Sequence, residues 1–581
     1  MGEPPDDFGP PLTGRGPCAP PFPEAGGARS GETPKDSDRR CHGDRAERRR
    51  GRLGAPRAPA EAEVGALQAR PRCGRGAWLG PAGGDVPPGL LRRRPEAAQL
   101  PFGADQLRPG RVLAGARGRP SPGLQGYLTW EWTEGLRGSL FPLFFASIYK
   151  VLHLLSQDNV QWLIWLPRIS QALLSALADV RLYSFVKRLD NGEAAKWVAF
   201  CQLCSWFTWF CCTRTLTNTM ESVLSTCALS YYLVEGTELG SRTKCLALVA
   251  LACLVRPTAL IPWTPLLLYQ FWREPRKQQL LLGTYLPVGL ITLGMSLTMD
   301  RLFFGQWVLV QLNFLKLNVL HNLAAFYGSH PWHWYLSQGL PVVLGPHLPF
   351  FIHGCLRAPP KHRIFLAVIL WTVAIYSTLS HKEFRFIYPV LPFCMVFCGY
   401  SLQQLGRWRR AACAFLVLAN LLPALYTGLV HQRGTLDVMG YLRGLCHTAP
   451  SPAPASILVL MPCHSTPHYS HLHCPLPLRF LECPPDLTGK ADYLDEADLF
   501  YVDPPKWLTR EFSNTSLLPT HVIFFNVLEQ DISSFLAVNG YTKAATFFHT
   551  HFPQGRTGSS VFVYKRPRSI SGEPLWPAGA S

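Results

Sequence analysis

The sequence predicts a multi-pass α-helical membrane protein that ends in a soluble domain of mixed α/β type. Three observations carry this. Hydrophobic residues make up 48% of the 581 and charged residues only 16%, a balance that suits a bilayer better than water. From Ser139 onward, apolar stretches recur that approach the ~20 residues needed to cross a ~30 Å hydrocarbon core as a helix. After about Thr435 they give way to a Pro-rich segment whose short apolar runs, Ser456 to Met461 and His521 to Val527, read as strands.

The mean hydropathy of +0.07 averages over two unlike parts. Residues 1–126 are rich in Arg, Gly, Pro and Ala, with runs such as Arg48-Arg49-Arg50 and Arg92-Arg93-Arg94 and no apolar periodicity. Such a stretch cannot bury a core and is expected to be a disordered, solvated tail. Aromatic residues hardly interleave with its basic ones, so stacking on bases has no support and no nucleic-acid partner is expected. Met1 opens an acidic, Pro-rich stretch rather than a signal peptide, so targeting is expected from an internal apolar segment.

Residues 127–434 read as a polytopic membrane domain with about ten candidate spans, near 139–157, 161–186, 195–212, 219–235, 244–270, 279–298, 337–356, 363–380, 385–404 and 411–430. Pro167-Arg168, Asp179 and Arg256-Pro257 fall inside spans. Charge there is costly unless it is paired or faces a cavity. Trp130, Trp132, Trp206, Trp209, Trp332 and Trp334 crowd the span ends, as an interfacial belt does.

Residues 435–568 form the predicted C-terminal domain, followed by a tail at 569–581. The domain carries Asn514-Thr515-Ser516, an N-glycosylation acceptor pattern if it lies in the lumen. Of the 18 cysteines, Cys204, Cys211, Cys212, Cys253, Cys394 and Cys398 sit in apolar spans and read as core thiols. Cys463, Cys474 and Cys483 lie in the C-terminal domain, where an oxidising compartment would favour a disulfide. The stretch Cys463, His464, His468, His471, His473, Cys474 offers zinc-ligand side chains at a spacing that fits no standard site, so no metal is expected.

The densest chemical cluster is His381-Lys382-Glu383-Phe384-Arg385-Phe386, set between two apolar segments. It reads either as a hydrated loop joining two helices or as a lipid-phosphate site. In the second case Arg and Lys hold the phosphate by charge-assisted bonds while the tail stays in the bilayer.

His-Lys-Glu-x-Arg-Phe resembles the signature of the mannosyltransferases that use dolichyl-phosphate mannose to build GPI anchors and N-glycan precursors. Further phrases are similar to the GPI branch of that family: Ser205 to Trp209, Thr213 to Glu221, Tyr327 to Tyr335, Met461 to Pro475, and His381 through Gly399. The resemblance runs from about Gly126 to about Lys565. It implies an inverting enzyme of GT-C architecture, multi-pass in the endoplasmic reticulum membrane with a lumenal active site. The implied reaction transfers the third GPI mannose, in α1,2 linkage, from dolichyl-phosphate mannose to the second mannose of the GPI precursor glycolipid. No sugar nucleotide, metal or other cofactor is implied.

Matched to the family motif, His381, Lys382 and Arg385 would contact the donor phosphate and Glu383 would orient them. Arg214, Asn218 and Glu221, at spacings of four and seven, are expected near one helix face. They would line the same cavity, although an internal Glu221–Arg214 pair that lets a polar helix pack is a second reading. Tyr327, His330, Trp332 and His333 would belong to a lumenal loop over the site. The family's first-loop acidic motif, resembling His-Pro-Asp-Glu or Pro-Asp-Glu-Tyr-Trp, has no counterpart here, and Pro5-Asp6-Asp7 has no helix before it. The catalytic base therefore carries over to no residue, and Glu131 and Glu134 are the substitutes the sequence offers. Either the first remaining span reorients, or the N-terminus is an alternative or mistaken first exon; the second is the expected explanation, with a transcript of the same locus encoding an apolar helix and Pro-Asp-Glu ahead of Tyr127. Three other readings stay open: a catalytically impaired isoform, a lipid-linked N-glycan mannosyltransferase, and a transporter or scaffold.

Overall fold

In a computed structural model of the chain, the described residues are 129–567, apart from 158, 233–238, 448–454, 473, 475 and 489–492. The predicted tails at 1–126 and 569–581, and His473, lie outside them. The membrane part consists of α1 (Leu140–Leu154), α2 (Val160–Leu189), α3 (Gly192–Cys204), α4 (Trp206–Cys212), α5 (Thr217–Leu229), α6 (Leu239–Val255), α7 (Leu260–Arg273) and α8 (Leu286–Phe304). There follow α9 (Leu348–Arg357), α10 (Arg363–Thr378), α11 (Leu391–Gln404) and α12 (Arg409–Leu429). Five continuous helical stretches, Val160–Leu189, Lys277–Phe304, Tyr335–Arg357, Phe384–Gln404 and Gly406–Cys446, are each long and apolar enough to cross a membrane.

Polar contacts sort the loops between these helices into two ends of the bundle. At one end Lys361 Nζ donates to the Leu189 carbonyl at 2.7 Å, His362 meets Asp190 at 2.9 Å, and Arg242 pairs with Glu274 at 2.5 Å. At the other end the 379–386 loop meets residues 328–335, and Arg256 sits over Phe386. The α10 helix, 16 residues and ~24 Å long at 1.5 Å per residue, joins the two ends. Followed from α2 to α12, the described chain passes between the ends ten times.

Three of the predicted spans need correction. The first does not cross. Ser139, just before α1, is bound through its backbone N–H and its hydroxyl to Asp300 at the C-terminal end of α8, at 3.0 and 2.8 Å. The far end of α1 leads into α2 at the same side of the bundle. The 195–212 span is two helices, because Ser205 is extended and its hydroxyl caps α4 by accepting from Thr208 N at 3.3 Å. The 244–270 span is two separate passages. Pro257 has no N–H to continue the helix and forces Arg256 into an extended conformation, φ −153° and ψ 115°.

The α11 helix is the bundle's axis, buried at every residue from Leu391 to Gly399. Two glycines make its contacts possible. A Cβ on Gly354 of α9 would lie 2.0 Å from the Phe397 carbonyl oxygen, and one on Gly399 would lie 2.5 Å from Val198 N of α3. Small residues at such crossings let helix backbones approach where lipid supplies no hydrophobic drive.

Helix α13 (Gly434–His447) opens the C-terminal domain, in which strands β1 (Ile457–Leu460), β2 (Leu478–Phe480), β3 (His521–Phe525), β4 (Thr542–Phe548) and β5 (Ser560–Lys565) form one sheet. The strand order is β2-β1-β3-β5-β4, with β1 parallel to β2 and β3 and with β5 antiparallel to β3 and β4. Leu458, Leu460, Val522 and Phe524 face one apolar core, while Ile457, Val459, Ile523 and Phe525 face another with Val438 and Leu442 of α13. Burial on both faces explains why β1 and β3 are unbroken apolar runs and not alternating ones. Cys463 pairs with Cys483, and Cys474 pairs with Cys446, at Cα separations of 6.3 and 6.2 Å. The domain docks on the 379–386 side of the bundle. Tyr426 and His551 are hydrogen-bonded at 3.0 Å, and Gln432 N donates to the His549 carbonyl at 2.8 Å.

Candidate functional site

Between α10 and α11 the chain runs through residues 379–383 and then a 3₁₀ helix, Phe384–Val390, that contains Pro389. Extended backbone at Leu379 and Glu383 presents successive side chains in different directions. This separates the fates of His381, Lys382, Glu383 and Arg385.

Glu383 is the hub. One oxygen, Oε1, meets His381 Nε2 at 3.1 Å and Arg385 Nη2 at 2.7 Å, and the other accepts from Arg385 Nε. His381 Nδ1 lies 2.9 Å from the Gly328 carbonyl oxygen. Both ring nitrogens thus face acceptors, which only the doubly protonated imidazolium can satisfy. The hydrogen bond to Glu383 raises the His381 pKa above its ordinary value, against the effect of burial. Burial pushes the Glu383 carboxyl up, but the hydrogen bonds and charges of His381 and Arg385 outweigh it and bring the pKa down to about 2.

Lys382 takes no part in this cluster. It is 3% exposed, and its ammonium donates to the His330 carbonyl at 3.0 Å and to the Leu379 carbonyl. His330 N donates in turn to the Ser380 carbonyl at 3.0 Å. Lys382 therefore fastens the 328–335 segment to the 379–383 loop. Tyr335 reinforces the joint, its hydroxyl lying 3.2 Å from Glu383 O and 3.3 Å from Glu383 N. Rings complete it, with His330 stacked on Trp334 at 4.9 Å and Trp334 against Phe384 at 4.7 Å.

Of the other candidate residues, His333 contacts Ser337 at 3.4 Å and Trp332 stands 69% exposed. Tyr327 accepts from Trp130 Nε1 at 2.6 Å, and the neighbouring Phe326 lies 6.3 Å from Tyr493 of the C-terminal domain. Burial, ahead of the nearby Glu131 charge, raises the Tyr327 pKa to about 12. Glu131 pairs with Arg137 at 3.4 Å through Oε1, while its Oε2 is buried without a hydrogen-bond partner among the described residues. Glu134 is exposed.

Arg214, Asn218 and Glu221 do not share one helix. Asn218 and Glu221 are buried in α5, whereas Arg214 lies in the turn before it, stacked on Phe210 at 3.8 Å. Thr213 and Thr215 flank Arg214, and β-branched threonines compete poorly for helix. The residue that meets Glu221 is Arg256, at 3.4 Å. The signal for it was the Arg-Pro pair interrupting an apolar run. Among the described residues no group of three or more His, Cys, Asp or Glu side chains could hold a metal ion.

The charge state of the cluster sets its pH window. Because the folded His381 pKa is raised, its contribution to stability is complete below about 6.5 and is lost as pH rises through the folded value. Glu383, with its folded pKa depressed, contributes fully above its unfolded value of 4.5 and loses that contribution as pH falls toward 2. Thermal unfolding of the purified chain followed from pH 5 to 9 should show a decline at the alkaline end. His381→Gln should abolish that decline, and an unchanged profile in the variant would contradict the imidazolium assignment.

A profile of the Alg9-like mannosyltransferase family matches residues 123–473. GPI alpha-1,2-mannosyltransferase 3 of Mus musculus is 66% identical over 441 residues, covering 76% of this chain and 81% of the mouse protein. The Homo sapiens protein of the same name is 65% identical over 441 residues, covering 76% and 80%. The crystal structure of ArnT from Cupriavidus metallidurans bound to undecaprenyl phosphate aligns with a TM-score of 0.49 at 13% identity, covering 76% of this chain and 89% of that one. With a profile match over more than half of its length and relatives at this identity, the chain belongs to the Alg9-like mannosyltransferase family.

Proposed function

We propose that this chain is an α1,2-mannosyltransferase of GPI-anchor assembly, taking mannose from dolichyl-phosphate mannose at the lumenal face of the endoplasmic reticulum membrane. The observation that carries the reading is the 66% identity to a GPI alpha-1,2-mannosyltransferase across 81% of that enzyme.

Charge distribution supports the orientation. The loops at the end opposite His381 hold Lys187, Arg188, Arg242, Lys244, Arg273, Arg276, Lys277, Arg363, Arg407, Arg409 and Arg410. Short basic loops stay cytosolic, which directs the His381 end and the C-terminal domain to the lumen. Asn514 is exposed on that domain.

In the reaction, the acceptor's 2-hydroxyl oxygen forms a bond to the anomeric carbon as the bond from that carbon to the phosphate oxygen breaks. The configuration inverts from β to α, and dolichyl phosphate leaves with the electron pair. Cations placed where that negative charge develops lower the barrier. Arg385 suits this task, because its side chain is 44% exposed and its N–H groups not bound to Glu383 have no other partner among the described residues. His381 has both nitrogens engaged, so it adds charge and holds Glu383 rather than donating to the phosphate. Lys382 acts through the backbone it fastens. Tyr327, His330, Trp332 and His333 form the wall offered to the acceptor. The hydroxyl's proton passes to a carboxylate as the new bond forms, with Glu131 and Glu134 as the candidates the sequence offers.

Expressing the chain in cells that lack the third GPI mannose tests the reading, with surface GPI proteins and accumulated lipid intermediates as readouts. The chain should restore both, and Arg385→Ala should lower transfer in membranes about 100-fold or more. Failure to rescue, a change in lipid-linked N-glycans instead, or rescue indifferent to Arg385→Ala would contradict it. The orientation has its own check. Endoglycosidase treatment should remove one glycan's mass from the chain and nothing from Asn514→Gln, and a chain unaffected by the enzyme would speak against a lumenal C-terminal domain.

A further inference from the structure

We propose that Arg256, held at the break between α6 and α7 and braced by Glu221, is a further phosphate-binding residue of the site, acting beside Arg385. The inference rests on the lipid-phosphate-sugar reading above and adds to it a residue from a different part of the chain.

Four observations converge. First, Pro257 ends the helical hydrogen-bonding at Arg256 and leaves it extended at the site end of the bundle, where its guanidinium carbon lies 4.8 Å from the ring centre of Phe386. Phe386 also receives the edge of His381 at 5.8 Å, so a single ring of the motif touches both cations. Second, the Arg256 side chain is only 12% exposed, yet its one polar partner is Glu221, through Nη1 at 3.4 Å. Its remaining N–H groups have no hydrogen-bond partner among the described residues. A guanidinium held this deep at that distance keeps most of its donors for another acceptor.

Third, the surroundings are polar and under-satisfied. Glu221 Oε1 and Asn218 Nδ2 are buried with no hydrogen-bond partner among the described residues. Native interiors pair nearly all such groups, and exceptions mark places where a polar ligand or water belongs. Fourth, rings connect this position to the motif. Phe386 lies 6.0 Å from Tyr376 and Tyr376 lies 6.1 Å from Tyr335, whose hydroxyl is 3.2 Å from the Glu383 carbonyl oxygen.

A phosphodiester carries one negative charge and oxygens spaced to meet the guanidinium fork. Glu221 offsets the Arg256 charge when no anion is there and fixes the plane of the fork. A simple structural pair would be served as well by any arrangement that neutralised Glu221. It would not need the guanidinium laid over the motif's own phenylalanine.

Two lipids bring a phosphodiester to this site, the sugar donor and the glycolipid acceptor, and the donor is the one proposed. Tryptophan fluorescence of the purified full chain, titrated with dolichyl phosphate and separately with a GPI-precursor glycolipid, distinguishes them. Arg256→Gln should weaken dolichyl phosphate binding about 10- to 100-fold, the worth of a charge-assisted hydrogen bond. Arg256→Lys, which keeps the charge and the pairing with Glu221, should lie between. Glycolipid affinity should stay within a few fold. Unchanged dolichyl phosphate affinity in Arg256→Gln would overturn the proposal. So would weakening confined to the glycolipid, or a fall in thermal stability with the affinity of the folded fraction intact. If the unaltered chain itself fails to bind dolichyl phosphate, the donor reading fails first, and independently of Arg256.

Discussion

Charge beside hydrocarbon persists only when it is paired, and the Glu383 carboxylate does that pairing for the site. It takes His381 on one side and Arg385 on the other within two residues of sequence, so the motif carries its own neutralisation. A short loop could not hold this geometry alone. Lys382, turned the opposite way, binds the carbonyls of His330 and Leu379, and Tyr335 bridges the backbone of Glu383. One consequence is a division of labour that the motif's letters conceal. Of its three basic residues, one fastens the loop, one orients the carboxylate, and Arg385 is the most exposed, with donors beyond those that Glu383 takes.

The same constraint shapes the bundle beneath. Membrane helices that must deliver polar groups to one end do so by breaking, because an unbroken helix has no spare donors or directions. Ser205, Arg256-Pro257 and the extended stretch before α5 are all such breaks. The break before Pro257 holds Arg256 over Phe386, and the turn before α5 holds Arg214 over Phe210. The basic loops gather at the far end, so the length of a membrane helix separates them from the His381 to Arg385 cluster.

Much of this was legible in the sequence. Hydropathy located the helices of the bundle, the apolar runs at Ser456 and His521 located the central strands, and His381 to Phe386 stood out as charge between two apolar segments. What periodicity could not supply was the effect of context. Leu140–Leu154 is as apolar as a span, and only the tether of Ser139 to Asp300 shows that it does not cross. The spacing of Arg214, Asn218 and Glu221 suggested one face, but the threonines around Arg214 end the helix before it. Lys382 and Arg385 are equivalent as letters, but Lys382 is turned away to the His330 carbonyl some fifty residues distant in sequence, while Arg385 stays with Glu383 two residues away. The pairing of Glu221 with Arg256 joins two passages of the chain, and one-dimensional spacing does not register it.

The account depends on the 379–386 loop facing the lumen with its cations exposed to a lipid headgroup there. Replacing Ser380 by cysteine in a chain stripped of other accessible thiols, and labelling sealed microsomes with a membrane-impermeant maleimide, tests this directly. The account predicts no labelling until the vesicles are opened, followed by labelling that dolichyl phosphate suppresses. Labelling of intact vesicles from the cytosolic side would contradict it.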